Sequence, residues 1–152
     1  MNVTWLEPHP DATAPLSALA RVGVVHERLP AAPEALQPGL DRLAAARGYV
    51  EQDIVELRPD TADLDAICRK FAGEHLHTDD EVRYVLEGEG IFDIRSADDR
   101  WLRVTVAAGD LLVVPANLHH RFMLTERKHI RCVRLFKDRG GWVPHYRQGA
   151  PA

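Results

Sequence analysis

The segment Glu74-His75-Leu76-His77-Thr78-Asp79-Asp80-Glu81 concentrates groups that can hold a divalent cation. In an extended chain, residues two apart project to the same face. His75 and His77 can therefore aim two imidazoles at one point, and Glu81 keeps their parity beyond a short polar interruption at 78–80. Two histidines and a carboxylate make a donor set suited to iron or a similar divalent ion. Taken alone, the same residues also fit a polar strand end carrying two solvated histidines. A later segment shifts the balance. Gly109-Asp110-Leu111-Leu112-Val113-Val114-Pro115 reads as an apolar strand delivered into a tight turn, and it leads to His119-His120-Arg121-Phe122. A histidine there can return to the same interior as a fourth ligand. Four ligands leave two positions open on an octahedral ion, enough for a bidentate substrate, whereas a structural zinc site leaves none and usually employs cysteine.

Two arginines bear on the same interior. Arg83 shares strand parity with Glu81, and Arg134 shares a face with Ile130, Cys132 and Phe136. A guanidinium on an apolar face is costly unless it is paired. One reading is an internal ion pair, with Glu74 or Asp80 as partner. The other, which two inward arginines favour, is an anion site beside the metal that binds and polarises substrate oxygens.

Elements that can position these groups are legible on both sides of a composition shift near residue 72. Before it, Leu36, Leu40 and Leu43 recur at helical spacing with Gly48 placed to end the helix. Leu64, Ile67, Cys68 and Phe71 predict a second helix, with Asp60 or Thr61 as its cap. Short apolar runs at 22–25 and 54–57 read as strands. After residue 72 strand follows strand, at 82–87, 91–95, 101–106, 111–114, 121–124 and 130–136, with Gly88, Gly90, residues 96–99 and Asn117 among the turn positions. The reading is mainly β: a closed barrel or sandwich with the helices packed outside.

The chain has 152 residues, 45% of them hydrophobic and 28% charged, which suits one globular domain. A net charge of -4 offers no basic footprint for nucleic acid. No apolar run approaches the roughly 18 residues of a membrane span, and residues 1–11 carry no leader pattern. Cys68 and Cys132 lie far apart in apolar segments and read as thiols of a reducing compartment, with a disulfide the alternative. A cytoplasmic monomer is expected. His9, His26, His129 and His145 lack clustered partners in sequence and read as surface histidines. Residues 98–100 read as a hairpin tip.

The stretch from Gly73 to Gly88 resembles the first cupin motif, and Gly109 through Pro115 to His120 resembles the second. The match narrows to one family. Glu74-His75-Leu76-His77, Asp80-Glu81-Val82-Arg83-Tyr84, Gly109-Asp110-Leu111, Val114-Pro115-Ala116, His120-Arg121-Phe122 and Arg134-Leu135-Phe136 followed by Gly141-Trp142 resemble acireductone dioxygenases over residues 47–142. The resemblance implies a single cupin-type barrel (double-stranded β-helix) over 1–152, with a helical part at about 30–71 and the metal-binding barrel at about 72–145. It implies metal ligands His75, His77, Glu81 and His120, catalytic roles for Arg83, Glu74 and Asp80, and substrate contacts from Arg134, Phe122 and Trp142. Glu74 or Asp80 would accept a substrate proton. The implied reaction is cleavage of acireductone, a sulfur-bearing enediol ketone of methionine salvage, by molecular oxygen. Iron(II) would give a 2-oxo acid and formate; nickel(II), the alternative metal, would give methylthiopropionate, formate and carbon monoxide. Asn117 stands where the second motif commonly has Gly, and Arg121 where this family often has Trp. A thiol dioxygenase, an isomerase or a non-catalytic binding cupin uses the same barrel with other pocket residues.

Overall fold

A computed structural model describes residues 2–6, 12–13, 16–30, 32–137 and 142–147. Its elements run β1 (Asn2–Trp5), β2 (Ala12–Thr13), α1 (Leu16–Ala20), β3 (Val25–Arg28), α2 (Pro33–Arg47), β4 (Glu51–Leu57), α3 (Leu64–Ala72), β5 (His75–Leu76), β6 (Glu81–Arg95), β7 (Trp101–Ala107), β8 (Asp110–Val114), β9 (His120–Leu124), β10 (Ile130–Phe136) and β11 (His145–Tyr146).

The organising element is β6. Turn-forming residues at Gly88 and Gly90 predict two strands, but the chain runs through them as one strand of 15 residues. Gly88 has φ 79°, and two residues before it, at Leu86, the pairing with β10 slips by one residue, so that Arg131 faces Glu87 while Cys132 faces Val85. A bulge bends and twists a strand without ending it. The bend lets β6 serve two walls. Its first half pairs with β8 and β10, and its second half with β7 and β9. β4 and β3 extend the first wall beside β10 and β8; β1 extends the second beside β7, and β5 beside β9. All these pairings are antiparallel, and the fold is a cupin barrel.

Alternation along the first wall sorts its residues into two apolar clusters. Val85, Leu112, Val114 and Cys132 face the barrel interior with Phe92, Ile94 and Phe122. Val82, Tyr84, Leu111, Val113, Val133 and Leu135 face the other way and are covered by Leu36 and Leu40 of α2. Burying a Leu side chain contributes about 1.5–3 kcal/mol, which is enough to hold α2 against the outer face despite Pro38 inside the helix. Gly48 ends α2 in the left-handed conformation, as its position predicts. Because residues two apart share a face, Glu81 and Arg83 point inward with Val85.

Several local expectations change. The cap of α3 is Asp63, not Asp60 or Thr61; it has φ 57° and no side-chain cap bond, and Thr61 instead accepts from the Arg58 amide. The strand expected at 22–25 starts at Val25, because the chain turns at residues 21–23. The first part of the chain is less helical than its composition suggests: β1, β3 and β4 all join the sheets. Asn117 adopts φ 67°, the conformation that the usual Gly would take. Both cysteines are free, with Cys132 buried. His26 is no bare surface histidine, since it bonds Asp110, and His129 lies near Glu56 and Glu87. His9 and Gly141 lie outside the described residues. No helix among the described residues is long and apolar enough to cross a membrane.

Candidate metal centre

β5, β6 and β9 bring the expected ligands together. His75 is the Cα partner of His120 across β5 and β9. His77 follows β5, and Glu81 opens β6. The ring centroids of His75, His77 and His120 are 4.7–5.2 Å apart, and one donor atom from each lies within 4.8 Å of the others. Glu81 Oε2 is 2.9 Å from His120 Nε2. All four side chains are buried, none more than 3% exposed.

The orientation of the imidazoles follows from their other nitrogen. Nδ1 of His75 is 2.6 Å from the Gly73 carbonyl, Nδ1 of His120 is 2.8 Å from that of Leu118, and Nδ1 of His77 is 3.3 Å from that of Val143. A carbonyl only accepts, so each Nδ1 carries the proton and each Nε2 keeps its lone pair. Metal-binding histidines are oriented in this way. His77 Nε2, His120 Nε2 and Glu81 Oε2 are buried and make no hydrogen bond. The 2.9 Å contact between the last two lacks hydrogen-bond geometry, as befits donors converging on a common point. Orphaned buried polar atoms cost roughly 1–3 kcal/mol each; a divalent cation would satisfy all three. The donor set therefore fits a metal with open positions.

The electrostatics agree. Burial pushes His75 down to about 4, reinforced by the neighbouring His120, and burial also lowers His77. His75 and His77 are thus unprotonated at neutral pH, as ligands must be. Burial would raise the carboxyl of Glu81, but Arg83 outweighs it, aided by His120 and His77, and holds Glu81 well below the usual carboxylate range. Arg83 donates through Nε to Glu81 Oε1 at 3.1 Å, with Nη2 at the same distance.

The other expected pocket residues divide. Trp142 stacks on His77 with centroids 5.9 Å apart and touches Phe136 edge-on. Its ring has the Arg83 and Arg134 guanidinium carbons at 5.3 and 5.1 Å, and its buried Nε1 has no hydrogen-bond partner. Phe122 lies under Arg83 but is also core, packed on Phe92 at 5.0 Å. Arg134 is paired after all: Asp53 on β4 takes both its Nε and Nη2, at 2.8 and 2.6 Å. The partner is neither Glu74 nor Asp80.

The two carboxylates expected to accept a substrate proton are each held by neighbouring donors. Glu74 receives two bonds from Arg95 and one from Arg147, which together outweigh burial and hold its carboxyl below the usual range. Asp80 accepts from Tyr49 Oη at 2.6 Å and from the Ala116 amide at 2.9 Å. Each oxygen of both groups accepts at least one of these bonds, which fixes the orientation of the two carboxylates. Sequence reasoning missed Asp53, Tyr49 and, beyond Trp142, the closing segment 143–147. The alternation of β4 carries a weak signal for Asp53, and Tyr49 directly follows the glycine that ends α2. The closing segment has no periodicity, yet it pairs Tyr146 with His75 and supplies the Val143 carbonyl.

A cupin barrel with three inward histidines and one carboxylate defines a mononuclear metal site of the dioxygenase-bearing class. Residues 7–144 match the ARD/ARD' family. The chain is 40% identical over 145 residues to acireductone dioxygenase 1 of Physcomitrium patens, covering 93% of this chain and 75% of that one. It is 51% identical over 108 residues to acireductone dioxygenase of Heterostelium pallidum, covering 71% and 74%. An acireductone dioxygenase from Bacillus anthracis, solved with a cadmium ion in its active centre, superposes with a TM-score of 0.86 at 28% identity over 95% of this chain and 97% of that one. The chain belongs to the ARD/ARD' family.

Proposed function

We propose that the protein cleaves acireductone with molecular oxygen, using iron(II) held by His75, His77, Glu81 and His120. The observation that carries this reading is the convergence of those four buried donors, each imidazole oriented by a main-chain carbonyl, beside a buried arginine. When bound, the metal lowers the proton affinity of substrate oxygens and activates the enediol toward oxygen.

The chain's own residues supply the rest. Arg83 keeps Glu81 ionised and offsets negative charge that the substrate brings into the buried site. Arg134, held by Asp53, adds a second cation at the rim. Phe122 and Trp142 wall the site against water, which strengthens each of these electrostatic contacts. The Trp142 N–H is free to donate to a substrate oxygen.

The test is assay of the iron- and nickel-reconstituted protein with acireductone and oxygen. A 2-oxo acid plus formate from the iron form supports the proposal, and carbon monoxide from the nickel form extends it to metal-directed chemistry. Stoichiometric metal without acireductone consumption in either form would overturn it in favour of another metal cupin enzyme. A chain that takes up no metal would instead be a binding module.

A further inference from the structure

Two short connections carry the ligand donors: 78–80, between His77 and Glu81, and 115–119, which leads into His120. Neither is regular structure, so something else must fix them. The Asn117 amide donates to the His77 carbonyl at 2.8 Å, which ties one connection to the other. Asp79 accepts from the Lys137 amide at the end of β10, at 2.9 Å. Asp80 does more, because its two oxygens face opposite ways. Oδ1 accepts from the Ala116 amide in the second connection. Oδ2 accepts from Tyr49 Oη and has Arg47 at 3.6 Å. Tyr49 is in turn anchored: it is 6% exposed, lies in the cluster beneath α2, and its amide bonds Ala44 in the last turn of that helix.

We infer that Tyr49 is a positioning residue for the metal centre, fixing both ligand-bearing connections through Asp80 and so coupling the end of α2 to the metal's donor geometry. The inference rests on the metal reading above. Asp80 without Tyr49 keeps the Ala116 amide on Oδ1 and Arg47 at 3.6 Å from Oδ2, but loses its 2.6 Å hydrogen bond at Oδ2. The connection from His77 to Glu81 then has more than one arrangement, and the donors are held less firmly. Partners of this kind, one step behind a ligand, typically cost about 10–100-fold in metal affinity when removed.

The experiment is a Co2+ titration of the full chain, followed by its visible absorption and by chelator competition, so that acireductone turnover plays no part. Tyr49→Phe removes one oxygen and keeps the packing. It is expected to weaken Co2+ binding about tenfold and to alter the Co2+ spectrum, with little change in Tm. Asp80→Asn is expected to weaken binding at least as much, and the double variant no more than Asp80→Asn alone, because Tyr49 acts through Asp80. Leu40→Ala should lower Tm through lost packing while leaving the Co2+ spectrum intact. Unchanged binding in Tyr49→Phe would overturn the inference. So would losses that multiply in the double variant, or an equal spectral change in Leu40→Ala. If the wild-type chain binds no Co2+, the metal reading falls with it; if only the Tyr49→Phe result fails, the metal reading stands.

Discussion

Arg83 and Arg134 are direct cross-strand partners on β6 and β10, and their guanidinium groups both lie against the ring of Trp142. Like charges set opposite one another on a sheet are destabilising. Each is compensated separately, Arg83 by Glu81 from within the site and Arg134 by Asp53 from the edge strand β4. The two cations therefore have different tasks, one tied to a metal ligand and the other to the rim.

Arg83→Ala is expected to lower kcat/KM by about 100-fold or more, the usual cost of losing a buried electrostatic stabiliser. It also leaves Glu81 buried without its cation, which destabilises by about 3 kcal/mol. Arg134→Ala, at a half-buried site, is expected to raise KM more than it lowers kcat. Steady-state kinetics on both variants check this; equal effects would show that the arginines act alike.

His75→Ala and His120→Ala are each expected to leave the protein folded and substoichiometric in metal by elemental analysis. His119→Ala is the matched control and should load normally. Full metal content in His120→Ala would remove that residue from the ligand set.

Gly88→Ala tests the left-handed backbone beside the bulge. An added Cβ would lie 2.1 Å from the His129 carbonyl oxygen. The left-handed backbone costs roughly 1–2 kcal/mol for a non-glycine residue, and the overlap about 1–3 kcal/mol more. A fall in Tm of about 5–15 °C is expected. A Tm within a degree of wild type would mean that β6 can relax around the methyl.

In the metal-free protein, His75 sits near 4 and His77 below 6.5, the ordinary histidine value. Between these values the unfolded chain takes up protons that the folded chain refuses. The histidines' contribution to stability is therefore complete above 6.5 and declines as the pH falls toward 4. Glu74, with its lowered carboxyl, adds a further loss only below 4.5. Denaturation midpoints of the chelated protein at pH 7.5, 6 and 5 should fall in that order, and bound metal should blunt the decline. A flat series would contradict the burial of neutral imidazoles.

Three of the four donors carry a short-range signal, whereas His120 enters through the family resemblance. His75, His77 and Glu81 share strand parity within one stretch of chain, and strand alternation also turns Arg83 and Arg134 inward. What escaped the sequence depends on partners distant in the chain. The bond from Tyr49 to Asp80 spans 31 positions and that from Arg134 to Asp53 spans 81, so local patterning carries neither. Gly88 was misread for a different reason: glycine is needed equally by a turn and by a bulge, and only the pairing of β10 decides between them. Asp63 escaped because its cap uses backbone conformation without a side-chain bond.

The pairing of His75 with His120 joins segments 45 positions apart, and this has a bearing on how the chain assembles. No single stretch carries all four donors, so an ion meeting the unfolded chain finds no completed cage. Sheets built from such distant pairings form slowly, commonly over milliseconds to seconds. The four donors converge only as the barrel closes, so the complete site is a late product of folding.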